Sequence, residues 1–161
     1  MATATIDGTI ETAELKTSRR NVRIYKQIVF RLPDGSQKTI AKAVCDEKVA
    51  AHLQPGNRGR FYTYTAVDQR GIHGIRDEAG NALFSYPKNN ETAMMYAAIF
   101  GIAITLILLA IGYISFWGLF LIALGVPFYF IYRSTRLAAQ AQFEADQSYR
   151  AAPAPAADAE A

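Results

Sequence analysis

The spacing of hydrophobic residues changes near residue 90 and divides the chain into two parts. Before that point, apolar and polar residues alternate with a period close to two, which is typical of strands with one buried face. After it, residues 92–132 contain no charged side chain. A charge near the centre of a bilayer is costly, so an uncharged run of this length favours a membrane-embedded segment. The pattern predicts a β domain joined to a membrane anchor.

The uncharged segment is too long for a single membrane crossing. Its 41 residues would make a helix of roughly 60 Å, whereas a hydrocarbon core of about 30 Å needs about 20 residues. Glycines and aromatic residues mix at 112–118, where a turn is predicted. Helices are therefore predicted over about 92–111 and 117–132, and segment 88–133 is predicted to be a transmembrane helical hairpin.

A stripe of small residues marks one face of the first predicted helix. Ala97, Gly101 and Thr105 recur at every fourth position. Small side chains let helices approach closely in membranes. The stripe is predicted to pack against the second helix of the hairpin, and a contact between copies in a homo-oligomer is the alternative.

Cations flank the uncharged segment and predict its orientation. Lys88 precedes the first helix and Arg133 and Arg136 follow the second, while the connecting turn has none. The positive-inside rule then places both termini in the cytoplasm, with the hairpin in a bacterial inner (plasma) membrane. Residues 1–20 lack the apolar run of a cleavable signal peptide. The single cysteine, Cys45, excludes an intramolecular disulfide and agrees with a reducing compartment.

The β domain is predicted to occupy residues 1–87. Its clearest strand is Val22–Leu32, where apolar and polar residues alternate and a turn follows at 33–36. Lys26 interrupts the alternation and is predicted to lie at a bulge or at the rim of a barrel. Further strands are predicted at about 4–16, 37–45, 60–67, 71–76 and 82–86, with a short helix over 46–53 that begins at Asp46 as N-cap.

The order of these elements is three strands, a short helix and two or three more strands. This order resembles the OB-fold, a partly open five-stranded barrel. The resemblance is one of topology and patterning over the first half of the chain, and it implies a small OB-like β-barrel of five to six strands with one short helix. An SH3-like barrel and a small β-sandwich fit the same pattern.

Two further segments follow the hairpin. Residues 134–149 are rich in good helix formers and are predicted to extend the second helix into the cytoplasm. Residues 150–161 alternate alanine with proline and carry almost no bulky side chain, so they are predicted to be a disordered tail.

The sequence offers few groups for catalysis or metal binding. His52 and His73 are its two histidines, and neither is spaced with Cys45 as a zinc site requires. The acidic pairs at 46–47 and 77–78 fit a helix N-terminus and a solvated turn. No catalytic residue, metal site or cofactor is therefore predicted, and the protein is expected to be non-enzymatic.

Cationic and aromatic residues are combined in the β domain. Residues 1–88 carry 14 cationic and nine acidic side chains, a net charge of +5. A basic face near a bilayer attracts anionic headgroups by roughly 1 kcal/mol per cation, and OB-folds bind single strands on stacked aromatics in a cationic groove. The residues predicted to contact a partner or lipid headgroups are Arg19, Arg20, Arg23, Arg58, Arg60, Tyr62 and Tyr64.

These patterns predict a small integral inner-membrane accessory protein that presents a cytoplasmic β domain to an unidentified protein partner. Membrane lipid is the other expected contact, and nucleic acid is the least favoured one. Three alternatives fit the same architecture: an oligomeric channel or transporter subunit, a membrane-tethered single-stranded nucleic-acid binder, and an immunity protein against a membrane-active toxin.

Overall fold

The computed structural model describes residues 2–66, 69–78, 80–146 and 149 of the 161-residue chain. The predicted disordered tail, 150–161, lies outside the described residues. The strands are β1 (Ala2–Arg19), β2 (Val22–Arg31), β3 (Gln37–Ala41), β4 (Val44–Asp46), β5 (Arg58–Ala66), β6 (Gln69–Asp77) and β7 (Ala82–Phe84). The helices are α1 (Glu47–Ala50), α2 (Asn89–Ala110) and α3 (Phe116–Ala145).

The seven strands form one antiparallel sheet that stays open, so the predicted β-barrel is wrong. Strand order is β3-β2-β1-β5-β6-β7, and β4 also pairs with β2. A single parallel bridge between Ala43 and Arg70 joins the β4 end of the sheet to β6. With three residues, β4 is too short to extend that bridge into a ladder. The predicted strand over 37–45 is divided because Lys42 adopts a φ of 53° and interrupts the extended backbone.

The strand predicted at Val22–Leu32 is confirmed as β2, and so is the bulge. Glu14 of β1 pairs with Gln27 and the next residue, Leu15, pairs with Tyr25, which leaves Lys26 without a partner in the ladder. An extra residue restores the inward direction of the apolar side chains that follow it. The break in alternation was therefore a correct local signal.

The main core of the domain lies between one face of the sheet and α1. The N-cap of α1 is Asp46, as predicted, and its carboxylate accepts a hydrogen bond from the Lys48 amide at 3.0 Å. Cys45 is fully buried, and burial raises the pKa of its thiol to about 12. The largest side chains of this core are Ile6, Ile10, Tyr25, Ile28, Phe30, Val49, Leu53, Phe61, Ile72 and Ile75.

The two long helices form an antiparallel hairpin whose outer surface is apolar. Both are long and apolar enough to cross a membrane, and only 11% and 17% of their most apolar windows are buried. Core helices of soluble proteins are instead covered on their apolar faces. Length, composition and exposure therefore favour a membrane protein. The connecting turn contains Gly112 at a φ of 83°, and Ser115 caps α3 by accepting from the Gly118 amide at 3.0 Å.

The third helix continues without a break from the apolar hairpin onto the β domain. It runs through Pro127 and ends at Ala145. Its last three turns lie on the sheet face opposite the main core, where Ala139 and Phe143 are buried. This contact joins the hairpin to the sheet.

Candidate functional site

The outer face of β5, β6 and β7 carries a layer of aromatic side chains. Because side chains alternate along a strand, Phe61 enters the main core while Tyr62 and Tyr64 point to the opposite face. Both tyrosines are almost fully buried, at 0% and 2% exposure. We call the following set the aromatic layer: Tyr62, Tyr64, His73, Phe84 and Tyr86.

The end of α3 packs into the aromatic layer through Phe143. The centroid of this ring lies 4.9 Å from that of Tyr62 and 5.5 Å from that of Phe84. The guanidinium carbon of Arg76 lies 4.5 Å from the Phe143 centroid, and Arg76 Nη2 donates to the Phe143 carbonyl at 3.0 Å. A Cβ at Gly74 would lie 2.7 Å from Phe143 Cδ2, so the ring packs directly against Gly74 and would have to shift to admit a larger residue.

A polar cluster holds Asp146, the residue that follows α3, to the sheet. Arg60 donates from Nε and Nη2 to both carboxylate oxygens of Asp7 at 2.6 Å, and from Nη1 to Asp146 Oδ2 at 2.8 Å. The Tyr62 hydroxyl also donates to Asp146 Oδ2 at 2.8 Å. The hydrogen bond from Arg60 lowers the pKa of Asp146 below its ordinary value. The end of the helix is thus fixed by charge-assisted hydrogen bonds.

A second ion pair joins the two helices where the apolar segment begins. Arg136 donates from Nε and Nη2 to the carboxylate of Glu91 at 2.7 and 3.1 Å. The side chains are 20% and 12% exposed, and the paired geometry is bidentate. This pair and the polar cluster lie at the two ends of the part of α3 that covers the sheet.

His73 lies at a bulge in the middle of the aromatic layer. Tyr62 pairs with Gly74 and Thr63 pairs with Ile72, so His73 has no partner residue in the ladder. The bulge turns its side chain toward α3, among four of the rings. Its centroid lies 5.7–6.4 Å from those of Tyr62, Tyr64, Phe84 and Tyr86.

The ring of His73 is fully buried and neutral at physiological pH. Among the described residues, neither ring nitrogen has a hydrogen-bond partner. Burial lowers the pKa of His73 to about 4; the backbone of Ala139 opposes this shift in part but does not lie in hydrogen-bonding geometry. An unpartnered buried polar group destabilises the fold, so this position is energetically costly.

Replacing His73 by phenylalanine should remove one source of acid sensitivity. The unfolded chain binds a proton near pH 6.5, but the folded chain resists protonation until about pH 4. Stability therefore falls as the pH drops through this window. We expect the free energy of unfolding of His73→Phe to fall less between pH 6.5 and pH 4 than that of the wild type, measured by chemical denaturation in detergent. Equal falls would show that His73 titrates normally.

The predicted contact residues do not form one surface. Arg23 is paired with Glu47 at 2.7 Å and Arg58 with Glu78 at 3.0 Å, while Arg60 belongs to the polar cluster. Three of the five predicted arginines are thus neutralised by carboxylates of the same domain. The other two, Arg19 and Arg20, lie exposed at the turn between β1 and β2.

The two predicted tyrosines are covered by the chain itself. Tyr62 lies beneath Phe143, and the Tyr64 hydroxyl donates to the Val44 carbonyl at 3.2 Å. In this conformation neither ring is accessible to a partner or to a headgroup. The alternation of β5 showed that the two rings share a face, but nothing local showed that α3 covers it.

The small-residue stripe lies mostly inside the hairpin. Gly101 is buried against α3, and the Thr105 hydroxyl donates to the Gly101 carbonyl at 2.7 Å. Ala97 is only partly buried; its neighbour Ala98 makes the closer contact. On the facing helix Gly125 is the counterpart, because a Cβ there would lie 2.8 Å from the Ala98 nitrogen. Gly125 lies seven residues after Gly118, and this spacing was the sequence signal that could have identified the small residues of the facing helix.

No group of three or more His, Cys, Asp or Glu side chains within the described ranges is placed to hold a metal ion. Comparison with known protein families, curated proteins and solved structures finds no match to this chain.

Proposed function

We propose that this chain is a small integral membrane protein that holds its β domain at a fixed position beside a bilayer and presents it to a protein partner. The observation that supports this proposal is the continuity of α3. One helix contains a span of the apolar hairpin and then packs on the sheet through Phe143 and the polar cluster.

The attachment of the β domain to the hairpin through α3 is rigid. From Arg136 to Asp146 the helix advances about 15 Å at about 1.5 Å per residue. It is fixed to α2 at the near end through Glu91 and to β5 at the far end through Arg60. A flexible linker would let the domain sample many orientations, whereas two anchoring points on one helix restrict it. The arrangement suits a protein that must present one face at one height above the membrane.

The charges at the base of the hairpin support a cytoplasmic location for the β domain. Lys88, Arg133 and Arg136 lie at this end, and the turn at 111–115 contains no charged residue. By the positive-inside rule the base faces the cytoplasm of a bacterial cell and the turn faces the outside.

The surface that remains for a partner is the one not covered by α3. It includes α1, where Lys48 is exposed, and β3, whose outer edge has no partner strand among the described residues. Free strand edges can pair with another chain. The alternative of a single-stranded nucleic-acid binder loses support, because Tyr62 and Tyr64 are not accessible for stacking.

Site-specific photocrosslinking in intact cells would test the partner role. A photoreactive amino acid placed at Lys48 or Ser36, both exposed, should give a discrete adduct with one protein. The matched control is the same group at Leu137, which is 49% exposed on α3. If all three positions gave the same diffuse adducts, the β domain would have no specific partner and the proposal would be wrong.

A further inference from the structure

A pocket opens between the turn that joins β1 to β2 and the start of α2. Its volume is about 210 Å³. Arg19 supplies a guanidinium on one side, and Asn89 and Asn90 supply amide groups on the other. None of the described residues that line it is acidic. The remaining lining residues are Gln69 and the apolar side chains Val22, Ile24, Val44 and Pro87.

The charge around this pocket is positive. Arg19, Arg20 and Lys88 form no ion pair with any residue that the structure describes. Glu91, which follows Asn90 along the chain, is already paired with Arg136. An anion entering the pocket would therefore meet the unpaired Arg19 and neutral amides, and no carboxylate from the described residues that line its walls.

The position of the pocket relative to the apolar helix restricts the source of such an anion. From Asn90 to Met94, the first large apolar residue of α2, the helix rises about 6 Å. The uncharged stretch itself begins at Thr92. With the hairpin in a bilayer, the pocket opens at the level of the lipid headgroups.

We infer that this pocket binds the phosphate of an anionic lipid headgroup. Arg19 pairs with the phosphate, and the side-chain amides of Asn89, Asn90 and Gln69 donate to phosphate or headgroup oxygens. The volume is large enough for a phosphate headgroup, and the acyl chains would lie alongside α2. This inference rests on the proposed insertion of the hairpin. It gives the membrane anchor a lipid preference that the hairpin alone does not supply.

Native mass spectrometry of the full chain in mild detergent would test this inference. The probes are phosphatidylglycerol and phosphatidylcholine, added separately, and the readout is the fraction of protein that retains lipid. The wild type should retain phosphatidylglycerol more strongly. Arg19→Ala should weaken that retention roughly fivefold, the equivalent of about 1 kcal/mol for one cation at a lipid surface. The matched control Lys48→Ala removes an exposed cation from α1 and should leave retention unchanged.

Three results would overturn the inference. Equal losses in Arg19→Ala and Lys48→Ala would mean diffuse attraction to positive charge without a site. Displacement of the lipid by millimolar glycerol phosphate would assign the pocket to a soluble phosphate ester. Equal retention of both lipids by a protein that still fractionates with membranes would reject the headgroup site while leaving the membrane anchor intact. A separate outcome, a protein that stays soluble without detergent, would instead reject the proposed insertion.

Discussion

Gly125→Leu should separate the two long helices and lower the stability of the hairpin by about 3 kcal/mol, the upper part of the usual range for overpacking. A Cβ at Gly125 would lie 2.8 Å from the Ala98 nitrogen, 3.0 Å from its Cα and 3.0 Å from the Met94 carbonyl oxygen. All three atoms belong to the backbone of α2, so no side-chain rotation can relieve the contact. The whole helix must move.

Ala123→Leu is the matched control for this change. Ala123 lies two positions earlier on α3 and is exposed. Leucine is a better helix former than glycine by nearly 1 kcal/mol, so helix propensity alone predicts that Gly125→Leu stabilises the protein. The two variants and the wild type would be compared by thermal unfolding in one detergent. A melting temperature of Gly125→Leu equal to that of the control would mean that the helices do not pack as described.

Phe143→Ala should release the end of α3 from the β domain at a cost of about 3–5 kcal/mol, the usual range for truncating a buried phenylalanine. Phe143 is 8% exposed and fills the space between Tyr62, Phe84 and the backbone of Gly74. Without the ring, Arg76 loses its cation–π partner. The polar cluster is then the main remaining contact, and water enters beside His73.

Hydrogen exchange would measure this release. Amides of residues 137–146 should exchange much faster in Phe143→Ala than in the wild type, because they lose the cover of the sheet. The pKa of His73 should rise from about 4 toward its ordinary value near 6.5 as the ring becomes hydrated. Leu137→Ala, at a position 49% exposed on the same helix, should change neither quantity. Unchanged exchange in Phe143→Ala would show that α3 is held at this end by other contacts.

The features predicted correctly from the sequence are those that local patterns determine. The alternation in β2 and its interruption at Lys26 are properties of one strand, and the bulge is confirmed. The cap at Asp46 depends on residues two positions apart. The two apolar helices follow from composition and length. None of these predictions required knowledge of what the segment would contact.

The features that could not be predicted depend on residues far apart in the chain. Arg60 and Asp146 are separated by 86 positions, and no periodicity relates them. The same holds for Tyr62 and Phe143. From the sequence alone, the aromatic layer therefore resembled an exposed binding surface, because nothing indicated that α3 covers it. Closure of the sheet similarly depends on whether β4 is long enough to pair with β6, which the sequence of β4 does not reveal.

Accessibility of single cysteines tests the central claim, that the hairpin crosses the membrane twice and leaves the β domain in the cytoplasm. The native Cys45 is buried, with a thiol pKa of about 12, so it serves as a silent background. Reporter cysteines would be placed at Tyr113 in the hairpin turn and at Ser36 between β2 and β3, both exposed positions. In intact bacterial spheroplasts an impermeant maleimide should label Tyr113→Cys at once and Ser36→Cys only after lysis. Labelling of Ser36→Cys in intact spheroplasts, or protection of Tyr113→Cys, would contradict the account.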